Sequence, residues 1–156
     1  MPERQTVERA RRDAREGKAP STQAGEFVRE EMDHIREGKH GARSTKQAIA
    51  IGLSKARRAG VKLAAPKPGQ ASARTRKQAM RDVQRGRSKR SAAHSAKRSR
   101  AVSRALKKEG RGAASHEALA KQAKSAARKR TKTARSRQAK RAARTRRSSK
   151  SSRNSK

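Results

Sequence analysis

Cysteine, tryptophan and tyrosine are absent from the chain, and Phe27 is its only aromatic residue. Without cysteine there are no disulfides, thiolate metal ligands or thiol redox chemistry. Carboxylates are scarce, 12 Asp plus Glu against 47 Lys plus Arg, which leaves a formal net charge of +35. Apolar residues larger than alanine number only sixteen in 156. A globular domain of this length has apolar residues near half of its composition. The apolar class here is 29%, mostly alanine. So high a charge with so little to bury excludes one large packed domain. The longest apolar run, Ala48 to Leu53, is interrupted by Gly52 and is far short of a membrane span. The amino-terminal Met-Pro-Glu-Arg-Gln has no apolar stretch of the kind a secretory signal carries.

What is present is cationic and unevenly distributed. Residues 1–65 hold 15 Lys/Arg and 9 Asp/Glu, a net of +6, whereas residues 66–156 hold 32 and 3, a net of +29. Eleven of the sixteen larger apolar residues lie in the first part. The expected fold class is all-α: a small helical head over 1–65, a Pro/Gly linker over 66–71, and a low-complexity basic Ala/Lys/Arg/Ser tail over 72–156. The tail is expected to be disordered alone, or helical on binding, because helix-forming residues are held open there by like charge.

Three helices are expected in the head. The first spans about Glu3 to Glu16, with charges alternating at i,i+4 and Val7 as its one apolar anchor. A second follows Pro20, with Ser21 or Thr22 as N-cap, and aligns Phe27, Val28, Met32 and Ile35. The third begins at the capping box Ser44-Thr45-Lys46-Gln47, carries an Ile49/Leu53/Ala56 stripe and stops at Gly60. Joined by Gly38–Arg43, the last two make a helical hairpin. In the tail, residues 72–85, 88–108 and 116–147 are helix-capable, with Ser115 capping the last. None has enough apolar surface to dock on a core.

A chain this basic has polyanions as its natural partners. The candidate nucleic-acid contacts are Lys121, Lys124, Arg128, Lys129, Arg130, Lys132, Arg135, Arg137, Lys140, Arg141, Arg144, Arg146 and Arg147. Nineteen of the 32 cations after residue 65 are arginine, whose guanidinium binds phosphate bidentately. With no aromatic side chain the tail has no stacking platform for unpaired bases, which favours contact with the phosphate backbone. A second candidate is a phosphate site at the start of the third helix, formed by Lys39, Arg43, Ser44, Thr45 and Lys46.

A helix-turn-helix reading of the hairpin, with Lys46, Gln47, Lys55, Arg57 and Arg58 outward, is set below that of a hairpin with a basic outer face. Its connection exceeds the usual three or four residues. His34 and His40 lie near Glu30, Glu31, Asp33 and Glu37, but no H-E-x-x-H spacing occurs, and a solvated face is the expected role. His94 and His116 are isolated, and no P-loop spacing exists. No enzyme, metal or cofactor is expected.

The stretch Gly25 to Gly60, and Ser44 to Gly60 within it above all, resembles a bacterial family of small basic proteins catalogued as a domain of unknown function. Arg111 to Ala123 is similar to the tails of longer members. The resemblance covers about the first 65 residues and implies a bacterial protein with no assigned activity. The Ala/Lys/Arg/Ser tail is also similar in composition to linker-histone tails and bacterial histone-like proteins. The expected function is sequence-nonspecific DNA binding on the nucleoid, in the cytoplasm. The alternatives are a ribosome- or RNA-associated protein, or an interaction module that its tail localises to nucleic acid. The head's protein partner is unknown.

Overall fold

A computed structural model of the chain describes residues 2–88, 96–130 and 132–154. Among them it is all-helical, with α1 Arg4–Arg15, α2 Pro20–Arg36, α3 Thr45–Arg58, α4 Ala73–Arg87, α5 Ala96–Lys108, a 3-10 turn Gly112–Ala114, α6 His116–Arg128 and α7 Lys132–Asn154. The chain divides into two compact units, residues 1–118 and 119–156.

In the first unit α2 packs on both α1 and α3. Phe27 is fully buried with Ala10, Ala24 and Ala56, and Val7, Leu53, Val61 and Leu63 close around them. The pattern places Ile49, Leu53 and Ala56 at the α3 contact, and of these only Ala56 is fully buried. The structure puts a smaller set there: Thr45, Ala48, Gly52 and Ala56 are buried, while Ile49 and Leu53 are half-buried. Gly52 explains the rotation. A Cβ at that position would lie 2.7 Å from Val28 Cα and 3.0 Å from the Phe27 carbonyl oxygen, so the helices approach backbone to backbone. A protein short of large apolar side chains thereby gains packing from proximity.

The helix ends follow local rules. Ser44 caps α3, its hydroxyl accepting from Gln47 N at 3.3 Å. The Gln47 side chain returns to the Arg43 N–H at 2.9 Å, one residue before the cap itself. Gly60 adopts φ +92°, and the N–H groups of Gly60 and Val61 reach back to the carbonyls of Arg57 and Ala56. Gly38 ends α2 in the same way, with φ +78°. The N-cap of α2 is Ala19 rather than Ser21 or Thr22, because Pro20 takes the first helical position, where its missing N–H costs nothing.

The packing of the first unit continues past residue 65. α4 docks on α3 although its only fully buried positions are Ala79 and Asp82. The sequence reading found no apolar surface for such docking; a buried carboxylate replaces it. Asp82 is 2% exposed and accepts from Ser54 Oγ at 2.7 Å and Gln78 Nε2 at 3.2 Å, with Arg58 Nε at 3.7 Å. Gly86 completes the contact, since a Cβ there would lie 2.0 Å from the Arg57 carbonyl oxygen.

The segment around Gly110 also belongs to this unit. Gly41 N–H donates to the Leu106 carbonyl at 2.9 Å and Ala42 N–H to Gly110 at 3.1 Å. Arg36 Nε donates to the Ala114 carbonyl at 3.1 Å, and Ala114 is fully buried.

The second unit holds the rest of α6 and all of α7. Sequence reading ran one helix from 116 to 147, but α6 ends at Arg128. Arg128-Lys129-Arg130-Thr131-Lys132 places four cations in five residues, and like charges this close oppose helix propagation. Ser115 caps α6 as expected, its hydroxyl accepting from Ala118 N at 3.2 Å.

Candidate nucleic-acid interface

The carboxylates of the chain are largely consumed inside the first unit. Arg9 pairs with Glu26 at 2.7 Å and Lys18 with Asp13 at 2.7 Å. Lys55 Nζ lies 3.1 Å from Glu30 and 2.7 Å from Glu31. Burial pushes the Glu30 carboxyl up, but hydrogen bonds from Thr6, Lys55 and the Glu3 N–H outweigh it and hold the group below the usual carboxylate range. Burial pulls the Arg57 guanidinium down, and the Asp82 charge opposes that shift. The solvated role expected for Glu30 and Glu31 is therefore corrected: both are buried, Glu31 completely.

The second unit is the opposite case. Residues 119–156 carry 16 Lys/Arg and no carboxylate. Lys121, Lys124, Arg128, Lys129 and Arg130 are exposed on and just beyond α6, and Arg135, Arg137, Lys140, Arg141, Arg144 and Arg146 are exposed along α7. Arg130 hydrogen-bonds the Gln138 side chain. The side chains of Lys132 and Arg147 lie outside the described residues. At 100° per residue, the ten cations of α7 cover about two-thirds of its circumference and leave one stripe free of charge, through Ala134, Gln138 and Ala142. The charge is therefore a broad sheath rather than a narrow seam. Over the roughly 35 Å of this helix there is one cation per about 3.5 Å. Duplex DNA carries one negative charge per about 1.7 Å of axis, so α7 matches about half of the charge along the stretch it could lie against.

The candidate phosphate site at the start of α3 does not gather its five residues around one point. Lys39 Nζ lies 2.9 Å from Glu37 and 3.4 Å from Glu3. Thr45 is buried and its hydroxyl donates to the Ala113 carbonyl at 2.7 Å. Arg43 Nε is 3.8 Å from Glu109, and Ser44 serves the helix as its cap. Lys46 is exposed. On the helix-turn-helix face, Lys55 and Arg57 point inward, to Glu30/Glu31 and to the Ala64 carbonyl, which removes two of the five residues from any groove. Burial at those positions is not legible in a pattern where every third residue is cationic. The Asp82 anchor was likewise missed, although a lone carboxylate among tail cations is a signal in itself.

Among the described residues no helix is long and apolar enough to cross a membrane. Residues 3–68 match the model of a family of unknown function, DUF6496. No curated protein and no solved structure matches the chain.

Proposed function

Since the matched family brings no activity with it, we propose a function from the charge of the chain itself: sequence-nonspecific binding of duplex DNA by phosphate neutralisation, as an accessory protein of the bacterial nucleoid. The observation that carries this reading is the cationic unit at 119–156, sixteen Lys/Arg without one carboxylate. Such a density of like charge is costly to hold together unless a polyanion neutralises it.

Duplex is favoured over single strands because the unit has no aromatic side chain on which a base could stack. Backbone contact is favoured over base readout because the cations spread over about two-thirds of the circumference of α7 instead of forming one narrow face aimed into a groove. In this account the first unit is a carrier whose acids are mostly paired with its own cations, so that they do not neutralise the cations that do the binding. Crosslinking in cells, followed by identification of the bound nucleic acid, tests the proposal. Broad recovery of chromosomal DNA is expected. Recovery of ribosomal RNA with little DNA overturns it in favour of a ribosome-associated role.

A further inference from the structure

Glu31, His34 and His40 come together where α2 runs into the loop before α3, and each offers one ligand atom within 4.8 Å of the others. Glu31 and His34 are one turn apart on α2, and His40 reaches back from the connection. The Glu31 side chain is 1% exposed and those of His34 and His40 are 13% and 19% exposed. Lys55 Nζ stands 2.7 Å from Glu31 Oε2, while Oε1 accepts no hydrogen bond. A buried carboxylate is thus left with Oε1 unsatisfied and aimed at a histidine. That state costs free energy unless a cation resolves it.

The tautomers sharpen the point. His40 Nδ1 is 3.1 Å from the Gly41 carbonyl oxygen, which can only accept, so Nδ1 carries the proton. In the neutral ring His40 Nε2 then has a free lone pair, and it faces Glu31 Oε1 at 3.4 Å. That separation is too long for a charge-assisted hydrogen bond. Two N/O ligands about 2.0–2.1 Å from one tetrahedral zinc ion sit about 3.3 Å apart, which is the separation seen here. His34 Nε2 donates to Glu3 Oε1 at 2.8 Å, the carboxylate support that metal-bound histidines commonly carry.

We infer that Glu31, His34 and His40 form a binding site for a divalent transition metal ion of the zinc type. Two imidazoles and one carboxylate suit Zn²⁺ rather than Mg²⁺ or Ca²⁺, which prefer all-oxygen sites. The ion takes Glu31 Oε1 and one nitrogen from each ring, with the fourth position open to water. Lys55 keeps Oε2. The metal ties the Gly38–Arg43 connection to α2, and through the Gly41 and Ala42 hydrogen bonds it steadies the 106–114 segment. This inference is independent of the nucleic-acid reading.

The test uses the full chain and Zn²⁺ alone, without nucleic acid. After dialysis, one equivalent per chain is expected, and His34→Ala/His40→Ala is expected to retain none while keeping its far-UV circular dichroism. Glu3→Gln, which weakens the acceptor behind His34 and its pairing with Lys39 but leaves all three ligands in place, is expected to weaken binding roughly 10–100-fold. Imidazole NMR gives a readout that does not depend on a variant folding. The His34 and His40 ring signals should shift on adding Zn²⁺ while those of His94 and His116 stay in place. No stoichiometric zinc on the native chain, retention by the folded double variant, or shifts spread equally over all four histidines would each overturn the site.

Discussion

Asp82→Ala is the perturbation that most cleanly separates α4 from the rest of the first unit. The carboxylate is 2% exposed, accepts from Ser54 and Gln78, and stands near the Arg58 and Arg57 guanidinium groups. A hydrogen bond to a charged group is worth about 1.5–3 kcal/mol, so two of them contribute about 3–6 kcal/mol. Removing the carboxylate also takes away the negative charge that faces Arg57, a residue only 8% exposed whose Nε has no partner. Against this, alanine gains about half a kcal/mol of helix propensity over aspartate. What else holds α4 is slight: buried Ala79, half-buried Val83 and the close fit of Gly86. A loss of about 3 kcal/mol is more than a hundredfold in the docking equilibrium. Native-state hydrogen exchange should then show the amides of residues 73–87 exchanging at least a hundredfold faster in Asp82→Ala, while those of α2 change much less. Asp82→Asn, which retains an acceptor for Ser54, should fall between. Unchanged protection in α4 of a folded Asp82→Ala protein would refute the idea that a buried carboxylate does the work of an apolar face.

Gly52→Ala and Gly86→Ala each place a Cβ against backbone, so both should destabilise the unit by about 1–3 kcal/mol in denaturant melts despite alanine's helix preference. Ser44→Ala should cost about 1 kcal/mol by the same measurement, through loss of the α3 cap. Because the folded Glu30 carboxyl sits below its ordinary value of 4.5, its stabilising effect is complete above that value and is lost as the pH falls through the lower folded one. Thermal midpoints should accordingly be level between neutral pH and about pH 5 and then drop, and Glu30→Gln should flatten that drop. The α7 helix should melt at a higher temperature, read by circular dichroism, on adding duplex DNA or an inert polyanion, since its ten cations repel one another along it until neutralised.

Much of the architecture was legible because helix ends are written locally. The Ser44 cap, the Gly38 and Gly60 stops and the Ser115 cap need only a few neighbouring residues, and all are found where the pattern predicts them. The packing was less legible. The Ile49/Leu53 stripe is the natural reading when burial is taken to follow side-chain size, yet Gly52 lets α2 and α3 approach so closely that the small residues face the contact. The docking of α4 depends on Asp82 and Gly86, which pattern reading takes for a tail charge and a helix break. Contacts through Gly41 and the Leu106 and Gly110 carbonyls use the backbone, and backbone partners leave no trace in composition. For the candidate interface the position is reversed. The cations of 119–156 are legible as a total, because charge needs no fold to act at a distance. Which side chains are turned inward, as Lys55 and Arg57 are, emerges only from the packing.

The central claim is that the cationic unit binds duplex DNA through phosphates alone, and the salt dependence of affinity tests it most directly. The measurement compares the full chain with one ending at Ala118, on random-sequence duplexes across a range of salt concentrations. If about ten phosphates are neutralised, the full chain should give a log–log slope near −9. Loss of the 16 cations after Ala118 should weaken binding and make the slope shallower, while the 31 Lys/Arg that remain against 12 Asp/Glu retain part of both. A full-chain slope shallower than about −3, or selection of a discrete sequence from the random pool by the chain ending at Ala118, would contradict it.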